Sequence, residues 1–423
     1  MPDNRKVLVV GTTADYIAWL QSAAPDQALF LTDALVRRQA EEAAPAAADE
    51  IVGDLTDFAQ SRAQLQRHLA DFNLRLDGIV CYDCESMELA ARLAGVFGLA
   101  YPSLEAVRLC RNKYLAKQRW QEQAVGCPRA RLVRTAAALA DFCREIDPPW
   151  VLKPPTGSGS ELVFQCAGPA AAQTALQEIQ SGIRQRRANR LYQPAAADEP
   201  PWVLAEEFVN GPEYSCDFII EDQQVRLIRL TRKRPAPGAP FGTIQSYGLT
   251  AALPAGLSEA GLAVLLRQGA QALGISRAIC MLDFLVRDAK LIFLEMTPRP
   301  GGDCLPFLLR QANQTDILTL ALDFARHRPL QLNPYQKAAP LVGLRLLARQ
   351  QGRLKGIETR ALRQDPRLKE LHLLRRPGHC IKLPPADYDS WLLGHIIFQP
   401  APDLPIDSQG QALLDKLIVD ISS

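Results

Sequence analysis

Three absences narrow the reading of this chain before any motif is considered. No long apolar run is present. The opening MPDNRKVLVVGTT holds only Val7 to Val10 before Gly11, and elsewhere a charge or a proline breaks every longer window. Neither a signal-peptide core nor a ~20-residue membrane span fits such runs. No dense cysteine framework is present either: ten cysteines are scattered over 423 residues, which suits a reducing compartment rather than a disulfide scaffold. Charge of one sign is not in excess, since 48 Lys and Arg against 46 Asp and Glu leave +2. That balance gives no field for a nucleic-acid or membrane surface. The expectation is a soluble, cytoplasmic protein with no nucleic-acid and no membrane partner.

Several motifs are missing as well. After Gly11 comes TTADY, so the dinucleotide fingerprint of three glycines is absent. No Gly-Lys-Ser/Thr follows any glycine loop, and no Gly-x-Ser-x-Gly elbow occurs. The five histidines (68, 327, 372, 379, 395) show no metal-ligand spacing. Cys81 and Cys84 form a single Cys-x-x-Cys pair with no second pair to complete four ligands, and Cys81 reads as strand packing.

What is present is globular: 48% of residues are hydrophobic and 22% charged, over a length worth about three domains. Residues 1–100 alternate short apolar runs (Val7–Val10, Ala28–Thr32, Asp77–Tyr82) with helical stretches such as Ser86–Phe97, closed by Gly98. That alternation predicts a parallel sheet, Rossmann-like in the loose sense. Asn112 is placed to cap a helix running to Val125, with Gly126 beyond it. Trp150–Lys153 predicts a strand entering a Gly/Ser loop, and residues 170–183 a helix. Residues 184–201 read as an exposed connection. Three strands with turns follow over 202–234, then an amphipathic helix, Glu259–Leu273, stopped by Gly274. The tail, 340–423, is rich in strands and ends in a helix.

Four segments carry candidate chemistry. In MLDFLVRDAKLIFLEMTPRPGGD (281–303), two strands flank a turn at Asp288–Lys290. Alternation puts Glu295 and Thr297 on one face. A three-residue turn places Asp283 across from Glu295. Two converging carboxylates repel unless a cation lies between them, and hard oxygen ligands suit Mg²⁺ completed by phosphate oxygens. An exposed acidic pair on a solvated sheet face is the plain alternative. Arg299, between two prolines, suits an anionic oxygen cluster. Gly301 and Gly302 let backbone approach a ligand, and Asp303 is placed to cap the next helix. In KPPTGSGSELV (153–163), Lys153 ends a strand before Thr156, Gly157, Ser158, Gly159 and Ser160, whose small side chains expose N–H groups to a phosphate. A bare hairpin tip is the alternative. Lys113 stands at a helix N-terminus. In LAEEFVNGPEYSCDF (204–218), Glu206 and Glu207 are carboxylates in a mostly buried strand, which demands donor partners. Phe208, Val209 and Glu213 follow. Glu85 lies beyond a strand end, and Arg226, Arg229, Arg232, Lys233 and Arg234 crowd one strand and its exit.

Taken in order, lysine, then lysine with a Gly/Ser loop, then Glu-Glu-Phe-Val-x-Gly-x-Glu, then Asp…Glu-x-x-Pro-Arg-Pro-Gly-Gly, the chain resembles the ATP-grasp superfamily, in particular its carboxylate–amine, dipeptide-forming ligases. The resemblance covers nearly the whole chain and is most specific over 281–303. It implies an α/β fold with an α+β lid, in which an N-terminal Rossmann-like parallel-sheet domain precedes two antiparallel sheets clamping ATP. The implied division is 1–110 N-terminal domain, 111–205 helical linker and lid, 206–330 catalytic subdomain, and 331–423 C-terminal strand-rich domain. Lys113 and Lys153 would contact the phosphates, and the backbone of Thr156–Ser160 would close over them. Glu206, Glu207, Phe208 and Val209 would face adenine, and Glu213 the ribose. Asp283 and Glu295 would hold Mg²⁺, with Mn²⁺ as an alternative. Thr297 stands where the family usually has asparagine, a poorer neutral ligand, and Asp283 is one methylene shorter than the common glutamate. Arg299 with Lys153 would be catalytic. Arg299, Gly301, Gly302 and Glu85 would meet substrate. The implied activity is ADP-forming ligation of a small-molecule carboxylic acid and an amine through an acylphosphate. Family habit favours a homodimer. A carboxylase component, a small-molecule kinase and a non-catalytic ATP-binding regulatory protein remain as alternatives.

Overall fold

A computed structural model describes residues 4–186, 189–192 and 199–422. The first unit is a four-stranded parallel sheet in the order Glu50–Gly53, Ala28–Asp33, Arg5–Val10, Arg75–Val80. Its strands are apolar because both faces are covered. Leu8, Val10 and Leu29 pack with Met87 and Leu93 on one side, while Val7, Val9 and Phe30 pack with Ile17 and Leu318 on the other. Gly98 ends the helix Met87–Phe97 in the left-handed region, as its position predicts. The strand Glu50–Gly53 was not anticipated.

The second sheet is antiparallel, in the order Ala130–Val133, Val203–Glu207, Trp150–Lys153, Phe164–Cys166. Helices Ala136–Glu145 and Pro169–Gln185 pack on it through Leu139, Phe142, Leu176 and Ile179. The expected helix after Asn112 forms, and the Asn112 side chain accepts from the amides of Tyr114 and Leu115. It runs only over Lys113–Glu122, stopping short of Val125; Ala124 takes a positive φ of 55° there.

The expected exposed connection over 184–201 is corrected where it can be described. Leu191 and Tyr192 are buried, and the Tyr192 hydroxyl donates to Glu161. Arg186 pairs with Glu161, and Arg190 reaches Asp33 at 3.5 Å. Residues 187–188 and 193–198 of that stretch lie outside the described residues.

The third sheet has eight strands, in the order Lys290–Thr297, Ala278–Arg287, Glu213–Glu221, Gln224–Pro235, Ile244–Leu249, Val342–Leu347, Leu392–Phe398, Leu368–Leu373. One face is apolar and carries the helix Glu259–Ala272 with Trp120; Phe218, Leu230, Leu282 and Phe284 pack against Leu262, Leu266 and Ala270. On the other face register places polar side chains strand after strand. Glu295 lies opposite Asp283, Lys233 opposite Tyr247, Arg345 opposite His395, and His395 opposite His372. The tail strands therefore extend the same sheet. Leu368–Leu373 and a terminal strand, Ile418–Ser422, were not expected, and the helix Ile406–Leu414 is not the last element. Among the described residues no helix is long and apolar enough to cross a membrane.

Candidate active site

The polar face of the large sheet becomes a site where Asp283 and Glu295 pair. The turn between their strands has two residues rather than the expected three: Asp288 and Ala289 take φ of 51° and 58°, and Arg287 pairs with Lys290. A bulge between Asp283 and Phe284 then shifts the register by one, so the two carboxylates face each other after all. Thr297, two residues beyond Glu295 on the same face, is buried, and its Oγ1 has no partner among the described residues.

Each of these carboxylates is held by a lysine. Lys113 Nζ lies 3.1 Å from Glu295, and Lys233 Nζ lies 2.7 Å from Asp283 and also pairs with Glu213. Burial works against the charge of Glu295, but the ammonium groups of Lys113, Lys233 and Lys153 outweigh it and bring the carboxyl down to about 2. Burial likewise opposes the charge of Lys233, yet Asp283 and Glu213 hold it well above its ordinary value. Lys233 was one of five crowded cations in the sequence. Of the others, Arg226 is exposed, Arg229 is buried against Asp217, and Arg232 and Arg234 line the larger of two cavities.

That cavity, of about 730 Å³, lies between the two antiparallel sheets. Lys113, Lys153, Thr156 to Ser160, Glu206 to Val209, Glu213, Asp283 and Glu295 all line it. One expected role does not match the geometry. Glu206 is 2% exposed, and its carboxylate lies 2.9 Å from both Lys117 and Lys153. Against the cost of burial, those two ammonium groups keep it below its ordinary value. Each oxygen therefore faces a lysine, although Oε1 completes no hydrogen bond among the described residues and Lys117 Nζ donates to the Leu294 carbonyl. Glu207 is engaged by Arg129 at 2.6 Å. Burial pulls Lys153 down to about 8, opposed by Glu206.

The loop after Lys153 is pinned from both sides. Lys113 Nζ donates to the Gly157 carbonyl at 2.8 Å, and Ser160 Oγ donates to the Gly242 carbonyl at 2.8 Å. Gly157 and Gly159 take φ of 124° and 67°, which side-chain-bearing residues rarely adopt.

A second cavity of about 490 Å³ adjoins the first and shares Lys113, Gly157 to Ser160, Lys233, Asp283 and Glu295. Glu85, Thr297, Arg299 and Gly302 line it. Arg299 directs Nη2 and Nε at Cys84 Sγ, at 3.0 and 3.3 Å. All ten cysteines are free, so the Cys81–Cys84 pair is not a disulfide. Asp83 beside Glu85 is raised to about 6 by burial and by the charge of Glu85.

Gly301 is not on the cavity wall. Its amide donates to Asp217 Oδ1 at 3.0 Å, and Arg229 Nε holds the other oxygen of Asp217 at 2.6 Å. A Cβ on Gly301 would come within 2.5 Å of Arg229 Nη2. Gly301→Ala is expected to lower stability by about 1–3 kcal/mol through overpacking and to displace Arg299. Thermal unfolding of the two proteins checks the first effect.

The comparisons with known proteins bear on this geometry. Residues 146–306, which contain the loop, Glu206 and Glu207, and the facing carboxylates, match the model of the ATP-grasp domain. The chain carries an ATP-grasp domain. A D-alanine–D-alanine ligase of Acidovorax ebreus is 25% identical over 216 residues, covering 49% of this chain and 59% of that protein. An uncharacterised protein, y4rH, of Sinorhizobium fredii is 27% identical over 223 residues, covering 52% of this chain and 43% of that one. The chain thus spans about half the length of the curated relatives it matches. Among solved structures, an L-amino acid ligase from Bacillus licheniformis superposes with a TM-score of 0.77 at 15% identity, with 100% of both chains covered. That likeness extends the fold beyond the ATP-grasp domain to the parallel sheet and the tail.

The sequence reading passed over Lys117 in the helix before the ATP-grasp domain, and Arg345 and His395 in the tail. Lys117 is 1% exposed, and a fully buried lysine is legible only once its carboxylate partner is known. The alternation of Arg345 and His395 with apolar neighbours was a usable sign for the tail strands.

Proposed function

We propose that this chain is an ATP-dependent, ADP-forming carboxylate–amine ligase that works through an acylphosphate, on an amino acid and a second amino acid or amine. The observation that carries the reading is the facing pair Asp283 and Glu295 on the boundary of two adjoining cavities. One cavity is deep, cation-lined and roofed by a glycine loop; the other leads away to polar side chains. The names of the D-alanine–D-alanine ligase and the L-amino acid ligase support the same chemistry.

The residues suit a hard divalent cation. The donors are two carboxylates and the unpartnered Thr297 hydroxyl, all oxygen. Among the described residues no cluster of three or more His, Cys, Asp or Glu side chains could hold a metal alone, so phosphate oxygens would complete the shell. Bound Mg²⁺ would neutralise charge on the transferring phosphoryl group. Lys113, Lys153 and Lys233 would turn from their carboxylates toward the phosphates. The backbone around Glu207 to Val209 would read the adenine edge, and Glu213 the ribose. The loop 156–160 would exclude water from a hydrolysable intermediate. Arg299 would orient the carboxylate that attacks phosphorus and then the acyl group that the amine attacks, and Glu85 would receive the acid substrate's amino group. Positioning and charge neutralisation then supply most of the rate.

A screen of amino-acid pairs for ADP release tests the proposal. Release only when both an acid and an amine are present supports ligation. A stable phosphorylated product would point to a kinase, and nucleotide binding without turnover across the panel would overturn the enzymatic reading.

Lys153 gives a pH signature. Its ammonium is lost as pH rises through about 8, and kcat/KM for ATP reports ionisations of the free enzyme. That parameter should therefore fall above this pH. Lys153→Arg, always charged, should remove the alkaline limb, while Lys153→Ala should raise the KM for ATP about tenfold through loss of a charge-assisted hydrogen bond. Unchanged ATP kinetics in Lys153→Ala would mean the loop is misassigned.

A further inference from the structure

We propose that Asp303 is the carboxylate that docks the primary ammonium group of the amine substrate. The inference rests on the ligase reading and deepens it. The sequence marks Asp303 as a helix cap, but the structure does not use it so. The helix Leu305–Asn313 is capped at Cys304, with no side-chain hydrogen bond to its amides. Asp303 instead holds a positive φ of 59°, a conformation that costs a non-glycine residue energy and tends to be kept where a side chain must be aimed. The side chain lines the second cavity, on the same loop as Arg299 and Gly302.

Its surroundings leave one valence open. Oδ2 lies 2.9 Å from Arg345 Nε. Oδ1 is buried and has no partner among the described residues. A buried carboxylate oxygen without a donor is costly, and an ammonium group would fill it.

The neighbouring wall points the same way. His395, opposite Arg345 in the sheet, is 2% exposed, lines the cavity, and leaves Nε2 without a partner. His372 lies opposite His395, and its Nε2 is 3.6 Å from Asp15. Phe307 packs 4.6 Å from both imidazole rings. This corner thus combines an aromatic wall with carboxylates and the Arg345 guanidinium, which faces Asp303 Oδ2 although its Nε completes no hydrogen bond among the described residues. A cationic amine fits it better than a second carboxylate would. Glu85, on the loop that also carries Cys84, is left for the acid substrate. The acyl group held by Arg299 would then lie between the two recognition points: the docked ammonium passes one proton to Asp303 Oδ1, the freed amine attacks the acyl carbon, and the C–O bond to phosphate breaks as phosphate leaves with the second nitrogen proton.

The test separates the two half-reactions. Hydroxylamine is a small nucleophile, mostly uncharged at neutral pH, that traps acylphosphates as hydroxamates without needing an ammonium site. The full chain is assayed with ATP, Mg²⁺ and each of the twenty standard amino acids as acid. Hydroxylamine or a second standard amino acid serves as acceptor. In Asp303→Asn, kcat/KM for the amino-acid acceptor should fall about 30-fold, as for loss of a charge-assisted hydrogen bond. Hydroxamate formation should fall less than about threefold, since that acceptor never made the bond. Asp303→Ser carries the same test should the amide variant not fold, and should show the same split, whereas Asp303→Glu, which keeps a carboxylate able to pair with Arg345 and the ammonium, should lose less of the amino-acid reaction than Asp303→Asn. Ethylamine in place of the amino-acid acceptor tells whether a plain amine or an amino acid supplies the ammonium. Equal loss of both reactions would make Asp303 structural, and retention of both would remove it from the site; either overturns the proposal. Failure of the wild-type chain to form hydroxamate with any acid would instead sink the ligase reading beneath it.

Discussion

Glu295→Gln is expected to lower ADP release by about a thousandfold, the scale of removing a principal electrostatic contact from a phosphoryl-transfer site. The substitution keeps the shape of the side chain and removes its charge. Glu295 faces Asp283 across the sheet, and Lys113 lies 3.1 Å away. The amide would leave a cation site with one carboxylate and would leave Lys113 with the Gly157 carbonyl but no carboxylate partner. The adenine contacts proposed for the strand Val203–Glu207 and the segment after it would not involve this residue. ADP binding without metal, measured by calorimetry, should therefore change by no more than about threefold, within the scatter of a distant contact. Turnover at the wild-type rate would remove Asp283 and Glu295 from the metal assignment and with it the mechanism.

The second large effect concerns stability. Asp217→Ala is expected to cost about 3–5 kcal/mol, the penalty for leaving one member of a buried pair uncompensated. Arg229 has no exposed side-chain surface, and Asp217 is 1% exposed. The guanidinium also donates to Ser215 and Thr231, so it cannot swing out to water. Burial raises Asp217 above its ordinary range, with Arg229 opposing; the pair costs much to bury and more to break. Denaturant unfolding of the wild type and variant gives the comparison. The double substitution Asp217→Leu with Arg229→Met should recover most of the loss, because an apolar pair of similar volume avoids the desolvation. If the single variant is as stable as wild type, the pair is not what holds this part of the sheet. Activity should not recover in the double variant, since the Gly301 amide still lacks its acceptor and Arg299 follows the same loop.

How far the sequence led can be judged residue by residue. The order of the four motifs identified the ATP-grasp domain, because lysine, glycine loop and carboxylates recur there as local patterns that need no tertiary knowledge. The facing of Asp283 and Glu295 was also foreseen, though through the wrong turn; a bulge made up the missing residue, and bulges leave little trace in an apolar pattern. The strand-bearing parallel sheet was legible from alternation. Partnerships were not. Nothing local says that Glu206 would close on Lys117 and Lys153, or that Lys233 rather than its arginine neighbours would reach Asp283. Those pairings depend on which strands become neighbours, and the tail supplies three strands of the large sheet, the first of them joining Ile244–Leu249 through pairs such as Ser246 with Leu344. Asp303 shows the same limit in reverse: the local rule for a helix cap was sound, and a cavity claimed the side chain instead.

The lysine–carboxylate pairing has a consequence for how the site would fill. With Lys113, Lys153 and Lys233 each paired to a carboxylate, these lysines offer a stray anion such as free phosphate less attraction than unpaired ammonium groups would. On the proposed function, a triphosphate would draw off the lysines only as a divalent ion took over the acidic groups they release, so each ligand would lower the other's cost of entry. Discrimination in favour of the complete metal–nucleotide complex would then arise from an exchange of partners rather than from a standing positive field.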